Sequence, residues 1–575
     1  MGKATKQPKK PLSQEQMAAI RQEKARDLAF NRAHRNIFER SGFSRLQPVD
    51  GIHFTYEGIK SELDDIFVLE NVVVFAEYTR SNSGNLGDHA KGKAGIHNKI
   101  AEDPVKFIEF FSNMSLGVKS WLDGLSYTKK QIVTSIIYSS ISAPEDHHKA
   151  LFNSSKFMSA AERGYFRSLT NSLKRSSRFE LFEYLGVNPQ LVGVNGVVPT
   201  SAPFDPYDAL LLPEEQSHFP TGFSVVSFYV DPDALLKRAY VLRRNGWRDG
   251  LGLYQRLIIP KKISSIRAHL KEKKRVFANN IVVTLPSDAK MSFEDGKPVV
   301  NSKISKPTPV KLEVPRKSNS VGIIDGQHRV FSYYEDITPD PDIDKFRMQQ
   351  NLLATGLIYP SSMSSSDREK FEASLFLEIN SNQASAGSDV IQAIWVVLDP
   401  FRPVSVARMV LNRLADTKPL KGHLARTSID AGKIRTSSIV SFGLQPLTKR
   451  SGEDSLFQIW DDAPAKARLK AGERNEADLH LYIEFCVKTV SEFLDAVRIA
   501  VGNDKWRIVS KDGTGVLSVT TINGLIILLR KLIDADKIAT GKPLPNLSNL
   551  SGVNFNSYKS SQYADMASHM ANLIA

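Results

Sequence analysis

Val321-Gly-Ile-Ile-Asp325-Gly326-Gln327-His328-Arg329, followed by Val330-Phe331-Ser-Tyr333-Tyr334, is the stretch from which the fold is read. The apolar run 321–324 predicts a buried strand. Asp325-Gly326 is a turn dipeptide, and Val330, Phe331 and Tyr334 then recur at helical spacing. The segment therefore predicts strand, tight turn, helix N-terminus. Such a turn suits an anion. Gly326 lets a ligand approach the backbone, the first helical N–H groups lack helical partners, and the helix dipole favours negative charge. Arg329 can grip a phosphate with its guanidinium fork. Gln327 and His328 add donors and acceptors, and Asp325 can hold magnesium through water. The alternative is a polar strand-to-helix turn with no ligand.

Asp325-Gly-Gln-His-Arg329 resembles the signature of the DGQHR-domain family, which includes DndB-like regulators of DNA phosphorothioation and resembles the ParB/sulfiredoxin-like fold. Upstream, Tyr254-Gln255-Arg256 and Phe277-Ala-Asn279-Asn280-Ile-Val-Val-Thr-Leu285 strengthen the resemblance; downstream, Phe376-Leu-Glu-Ile-Asn380-Ser-Asn382-Gln383 does so. Together these cover about 200 residues, roughly 205–400. Sulfiredoxin itself is excluded, because its chemistry needs a cysteine in this loop and position 327 is Gln. The resemblance implies handling of a nucleotide or DNA backbone by Asp325, Gly326, Gln327, His328, Arg329, Gln255, Arg256, Asn380 and Gln383. A nucleoside triphosphate is one expected ligand.

The second informative stretch is 61–79. Two apolar runs flank Glu70-Asn71, so a hairpin is expected. Asp64 begins its first strand and Glu77 ends its second, and in an antiparallel pair those two ends are neighbours. Paired carboxylates at a strand end suit a divalent metal, which activates water and clamps a phosphate. The alternative is an ordinary hairpin with charged ends. The arrangement resembles the PD-(D/E)XK nuclease core, with Asp64 and Glu77 as ligands of Mg2+ or Mn2+. That family has Lys two residues after the Glu; here the residue is Thr79. The resemblance implies that a lysine from the next segment, Lys91, Lys93 or Lys99, takes the role, or that the domain binds DNA without cutting it. The same segment spells a Walker A-like G-x-x-x-x-G-K at 87–93, but Ala94 replaces the Ser/Thr that would bind magnesium.

The chain has 575 residues, which predicts two to four domains, and 41% hydrophobic content, enough for ordinary cores. Its net charge of +14 favours a polyanionic partner. One cysteine, Cys486, allows neither an internal disulfide nor a cysteine zinc site. No apolar run is long enough to span a bilayer and no signal-peptide pattern follows the N-terminus, so a soluble cytoplasmic protein without a membrane partner is expected.

The expected class is α/β multidomain. A basic disordered tail occupies 1–13 and a restriction-endonuclease-like α/β domain 14–190. A linker follows at about 191–213, within a stretch from Asn188 to Pro213 that carries five prolines. A ParB/sulfiredoxin-like α+β domain then spans 214–400, and a basic segment with a mainly helical region 401–575. Within the 214–400 domain, 261–275 sets seven basic residues against one acid. Between 402 and 450, ten Arg/Lys face two Asp with no interleaved aromatic pattern, which predicts contacts to a DNA backbone rather than base reading. The functional expectation is a metal-dependent DNA nuclease with Asp64, Glu77, Thr79, Lys93 and Lys99 at its centre. It would be coupled to a nucleotide- or DNA-sensing DGQHR domain. The resemblance implies a bacterial DNA-modification or phage-defence setting, with proteins of such a system or further copies of the chain as partners. Two alternatives are a non-catalytic DNA-binding regulator and a nucleotide hydrolase centred on 325–329.

Overall fold

The computed structural model describes residues 14–574 apart from 82, 143, 194–202, 242–246, 248–257, 382–387, 426–431 and 511–512. The described residues form two compact units, one up to 241 together with 258–362, the other from 363 onward. Both the hairpin and the Asp-Gly-Gln-His-Arg turn belong to the first. The whole is α/β with mixed sheets. No single helix among the described residues is long and apolar enough to cross a membrane.

The first unit opens with helix α1 (Gln14–Arg40), followed by Gly42 at φ +96°. A five-stranded sheet follows in the order β1-β4-β5-β6-β7, with β1 (Ser44–Arg45), β4 (Asp65–Leu69), β5 (Val72–Thr79), β6 (Val133–Ser140) and β7 (Lys156–Met158). Strands β2 (Phe54–Tyr56) and β3 (Ile59–Ser61) form a separate small hairpin. β4 and β5 are the predicted antiparallel pair, turning at Glu70, whose φ is +53°. β6 joins β5 in parallel, and a parallel neighbour requires a crossover. Helices α2 (Ser83–Glu102), α3 (Pro104–Ser112) and α4 (Leu116–Asp123) make it.

Side chains alternate across a strand, and this sheet buries both faces. Phe38 of α1 stacks on Phe67 at 4.4 Å, and His34 on Tyr78 at 4.2 Å. On the other face Ile66, Val68, Val73, Phe75 and Ile136 pack with Ile96 and Ile100 of α2 and with Phe107 and Phe111 of α3. At its start β4 is anchored by Asp65, fully buried and ion-paired to Arg35 at 2.9 Å and to Arg45. A buried carboxylate is tolerated when its lone pairs are taken in this way.

The second sheet has eight strands in the order β10-β14-β11-β15-β9-β8-β13-β12. They are β8 (Phe204–Leu212), β9 (Ser224–Val230), β10 (Ala239–Tyr240), β11 (Ile281–Leu285), β12 (Lys290–Ser292), β13 (Thr308–Pro315), β14 (Val321–Asp325) and β15 (Leu352–Ile358). β8 corrects the expectation of a linker reaching to 213. Prolines there argued against a strand, yet β8 pairs with β13 over 204–211 and with β9 only from 209 to 212. Pro206 thus sits where β8 has a single neighbour, the position at which a missing N–H is tolerated.

The second unit is mainly helical around one large core. Its helices include Ser365–Ser381, Ser388–Leu398, Pro403–Leu414, Glu476–Val501 and Val519–Asp534. Cys486 is fully buried in that core. The basic segment 402–450 is less available to a partner than its composition suggested. Arg408 is 4% exposed and pairs with Asp389. Arg413 pairs with Glu484 and Lys449 with Asp454. Arg450 donates to the Leu469 and Phe401 carbonyls, and Arg402 stacks on Trp395 at 3.7 Å. Lys418, Lys421, Lys433 and Arg435 remain as exposed cations, and Arg426 lies outside the described residues.

Candidate functional site

The β4–β5 register pairs Asp65 with Ala76. One step further along, Asp64 stands opposite Glu77. Two hydrogen bonds hold it there: Asp64 N–H donates to the Ala76 carbonyl at 3.2 Å, and Tyr78 N–H donates to Asp64 Oδ2 at 2.6 Å. On β6 the partner of Glu77 is Tyr138. Asp64 has the parity of Ile66 and Val68, Glu77 that of Val73 and Phe75, and Tyr138 that of Ile136. All three therefore form one row on the face covered by α2.

Helix α2 supplies the opposite wall. His89, Lys93 and His97 are spaced at i, i+4 and i+8, so they lie along one stripe. Lys93 Nζ reaches Glu77 Oε1 at 2.8 Å and also donates to the Glu62 carbonyl at 3.0 Å. His89 Nε2 is 3.8 Å from the same Oε1, and its Nδ1 is 2.8 Å from the Tyr138 hydroxyl. His97 lies deeper, with Nδ1 bonded to Ser155 Oγ at 2.9 Å and its ring edge-on to Tyr138.

Glu77 is 3% exposed, and its Oε2 has no hydrogen-bond partner among the described residues. A buried carboxylate oxygen left this way is costly, and native structures rarely keep one without a reason. Burial, reinforced by the neighbouring Asp64 carboxylate and only partly offset by Lys93, pushes the Glu77 carboxyl up to about 8. Burial likewise raises Asp64 to about 6, against the pull of the Tyr78 N–H and Lys93. Burial and Lys93 together lower His89, which favours its neutral ring. The pocket is therefore short of positive charge. Asp64 and the unpartnered Oε2 of Glu77 give the pocket two oxygen donors of the kind a hard divalent cation takes, with no third His, Cys, Asp or Glu donor close enough to share an ion with both among the described residues.

The remaining sequence-predicted residues divide. Thr79 turns its hydroxyl to Ser81 Oγ at 2.9 Å, so the family's lysine position carries no cation. Lys93 is the α2 lysine that reaches Glu77. Lys99 does not join: its Nζ is held by Glu102 at 2.8 Å and lies 3.5 Å from Glu57. His89 and Tyr138 were missed. The i, i+4 spacing of His89 and Lys93 was the available signal for the first.

The 325–329 turn forms as expected at its start. β14 ends at Asp325, and Gly326 adopts φ +94°, a left-handed conformation that glycine enters without penalty. The helix that follows, Gln327–Phe331, is only five residues long. Arg329 Nη2 donates to Asp325 Oδ2 at 2.8 Å, and His328 Nε2 accepts from the Ile259 N–H at 3.2 Å. Gln255, Arg256 and Gln383 lie outside the described residues. Asn380 belongs to the second unit, where its side chain donates to the Phe376 carbonyl of its own helix at 2.9 Å. The basic helix Pro260–Lys273 spends Arg267 on structure: it lies over the Tyr334 ring at 3.9 Å and pairs with Asp340 at 3.0 Å.

No protein-family model matches the chain, no curated protein matches it in sequence, and no solved structure matches it in fold.

Proposed function

We propose that the first unit carries a metal-dependent nuclease site that hydrolyses phosphodiester bonds of DNA, with Asp64 and Glu77 as ligands of Mg2+ or Mn2+. The observation that carries this is the unpartnered, buried Oε2 of Glu77 beside Asp64, with Lys93 on the other oxygen of the same carboxylate. The α1–hairpin–α2–β6 order, with β6 parallel to β5, supports the resemblance to the PD-(D/E)XK core.

A divalent cation held there supplies Lewis-acid activation of water and of a phosphoryl oxygen. The chain's own groups do the rest. Asp64 and Glu77 fix the ion on one side of the pocket. Lys93 Nζ is a donor on the substrate side, suited to the negative charge that builds on the phosphoryl group. In the hydrolysis the water oxygen bonds to phosphorus and one bridging P–O bond breaks. A phosphate monoester and a hydroxyl result, and the remaining proton passes to solvent. The 325–329 turn is assigned to nucleotide or DNA sensing on the strength of its resemblance alone, as is the bacterial DNA-modification or phage-defence setting.

The test is incubation of purified protein with supercoiled plasmid and Mn2+ or Mg2+, followed by gel analysis. Cleavage that requires the metal and is abolished in Asp64→Ala and Glu77→Ala is expected. Cleavage that survives both changes removes these residues from the mechanism. One observation favours a second reading, a DNA-binding regulator without catalysis: Thr79 replaces the family lysine. That reading expects DNA retention in a gel shift, falling steeply with salt, and no cleavage under any metal.

A further inference from the structure

Beyond β6 the chain runs Pro144-Glu145-Asp146-His147-His148-Lys149, with the one-turn helix α5 at Asp146–Lys149. Glu145, His147 and His148 each offer a donor atom, and these atoms all lie within 4.8 Å of one another, the one such group among the described residues. Glu145 Oε2 is 3.4 Å from His147 Nδ1. Two metal–ligand bonds of about 2.1 Å at a tetrahedral angle end about 3.4 Å apart, so this pair already has the spacing of two ligands on one ion. The His147 and His148 rings lie 3.8 Å apart between centroids.

Helix α2 braces this segment. The His148 ring rests on Gly87, where a Cβ would come within 2.5 Å of Cε1 and Nε2. Eleven residues on, about three turns along the same face of the helix, Asn98 donates to the Leu151 carbonyl at 2.9 Å and accepts from the Asn153 N–H at 2.8 Å. Phe152 between them is buried against Leu86, Ala90 and Ala94 of α2. Pro144 is buried on the other side of the three donors. The donors therefore stand on backbone held at both ends, while Glu145 and His147 are open to an ion from solution.

We propose that Glu145, His147 and His148 bind a transition-metal ion of the Zn2+ kind, with the remaining coordination positions open to water. Two imidazoles with one carboxylate suit Zn2+, Ni2+ or Cu2+ and suit Mg2+ poorly. Gly87 is the positioning residue, since it leaves the room in which the His148 ring sits beside the other two donors. The site is separate from Asp64 and Glu77 and does not rest on their reading.

The experiment uses the full-length chain without a histidine tag, and the metal alone. Zn2+ is titrated calorimetrically, with excess Mg2+ present, into wild type, Glu145→Gln, His147→Ala, His148→Ala, Gly87→Ala and His480→Ala. The last removes an exposed histidine that also lies beside a carboxylate, Glu484 at 4.0 Å. Electron paramagnetic resonance of a Cu2+-loaded sample counts the coupled nitrogens. Wild type is expected to take up one Zn2+ tightly in spite of the Mg2+, and to show two coupled nitrogens with Cu2+. Each histidine change is expected to remove one nitrogen and to weaken Zn2+ binding by at least the about ten- to hundred-fold lost with a residue that merely supports a ligand. Gly87→Ala keeps all three ligands and is expected to weaken binding by a smaller factor, because its Cβ displaces the His148 ring. His480→Ala is expected to bind like wild type. The inference falls if wild type takes up no Zn2+ or loses it to Mg2+. It falls equally if His147→Ala and His148→Ala bind like wild type, or if His480→Ala is the change that removes the tight site.

Discussion

Two turns in the first unit present the same kinds of side chain and balance them in opposite ways. At the 325–329 turn, Arg329 closes on Asp325 within one helical turn, and His328 accepts from the Ile259 backbone. At the end of the hairpin, Lys93 pairs with one oxygen of Glu77 beside a second carboxylate, Asp64, and the other, buried oxygen of Glu77 is left over. Asp65, one residue from Asp64, sharpens the contrast, because it is also buried and has an arginine on each oxygen. The chain can therefore satisfy a buried carboxylate at this place in the fold. Leaving Glu77 short of charge is a property of that pocket, and it is the observation on which the proposed metal site rests.

The largest effect separates the satisfied carboxylate from the unsatisfied ones. Asp65→Asn strips the countercharge from Arg35 and Arg45 in the interior and is expected to cost about 3–5 kcal/mol in chemical denaturation. Glu77→Gln leaves no comparable ion-pair pattern behind and is expected to cost far less. Equal losses would mean that Glu77 is held as tightly as Asp65, and the contrast would break. Next comes Lys93→Met. It is expected to lower metal-dependent plasmid cleavage by about 10²–10³-fold, the size found when one preorganised donor is removed. Lys99→Met is expected to cleave like wild type, since its amine is engaged by Glu102 and Glu57. The smallest effect belongs to the other turn. Arg329→Ala removes an i, i+4 pair at a partly exposed site and is expected to cost at most about 1 kcal/mol in thermal unfolding, part of it restored by Arg329→Lys. Loss of a stabilisation given by added nucleotide or DNA, with normal melting in its absence, would instead assign Arg329 to a phosphate.

How much of this was legible depended on how local the signal was. The hairpin could be read because two apolar runs bracket Glu70-Asn71, and strand pairing then follows from chain direction alone. The start of the 325–329 turn was legible for the same reason: a strand, an Asp-Gly and a helical spacing are all contiguous. Strand β8 was hidden because prolines that signal a linker also fit a strand stretch with one neighbour. Choosing between Lys93 and Lys99 required knowing which face of α2 meets the sheet. Six residues place them about 120° apart on a helix of 3.6 residues per turn, so only one of them can face Glu77. Tyr138 reaches the site through a parallel pairing across a crossover of more than fifty residues, a contact that no local pattern encodes.

The most direct measurement is the melting temperature of wild type and Glu77→Gln from pH 5 to 8.5, in chelator and in Mn2+. Burial raises the folded-state pKa of Glu77 to about 8 from an ordinary value of 4.5. The folded chain thus keeps a proton that the unfolded chain has released across that window, so stability falls as pH rises, on the order of 1 kcal/mol per pH unit for that proton. In chelator, wild type is expected to lose stability from pH 5 to 8, and Glu77→Gln to lose markedly less. Mn2+ is expected to restore wild type most strongly near pH 8, where the metal no longer competes with the proton, and to leave Glu77→Gln unmoved. Parallel pH slopes in the two proteins, or the same Mn2+ shift in both, would contradict the assignment of Glu77 as an uncompensated, metal-seeking carboxylate.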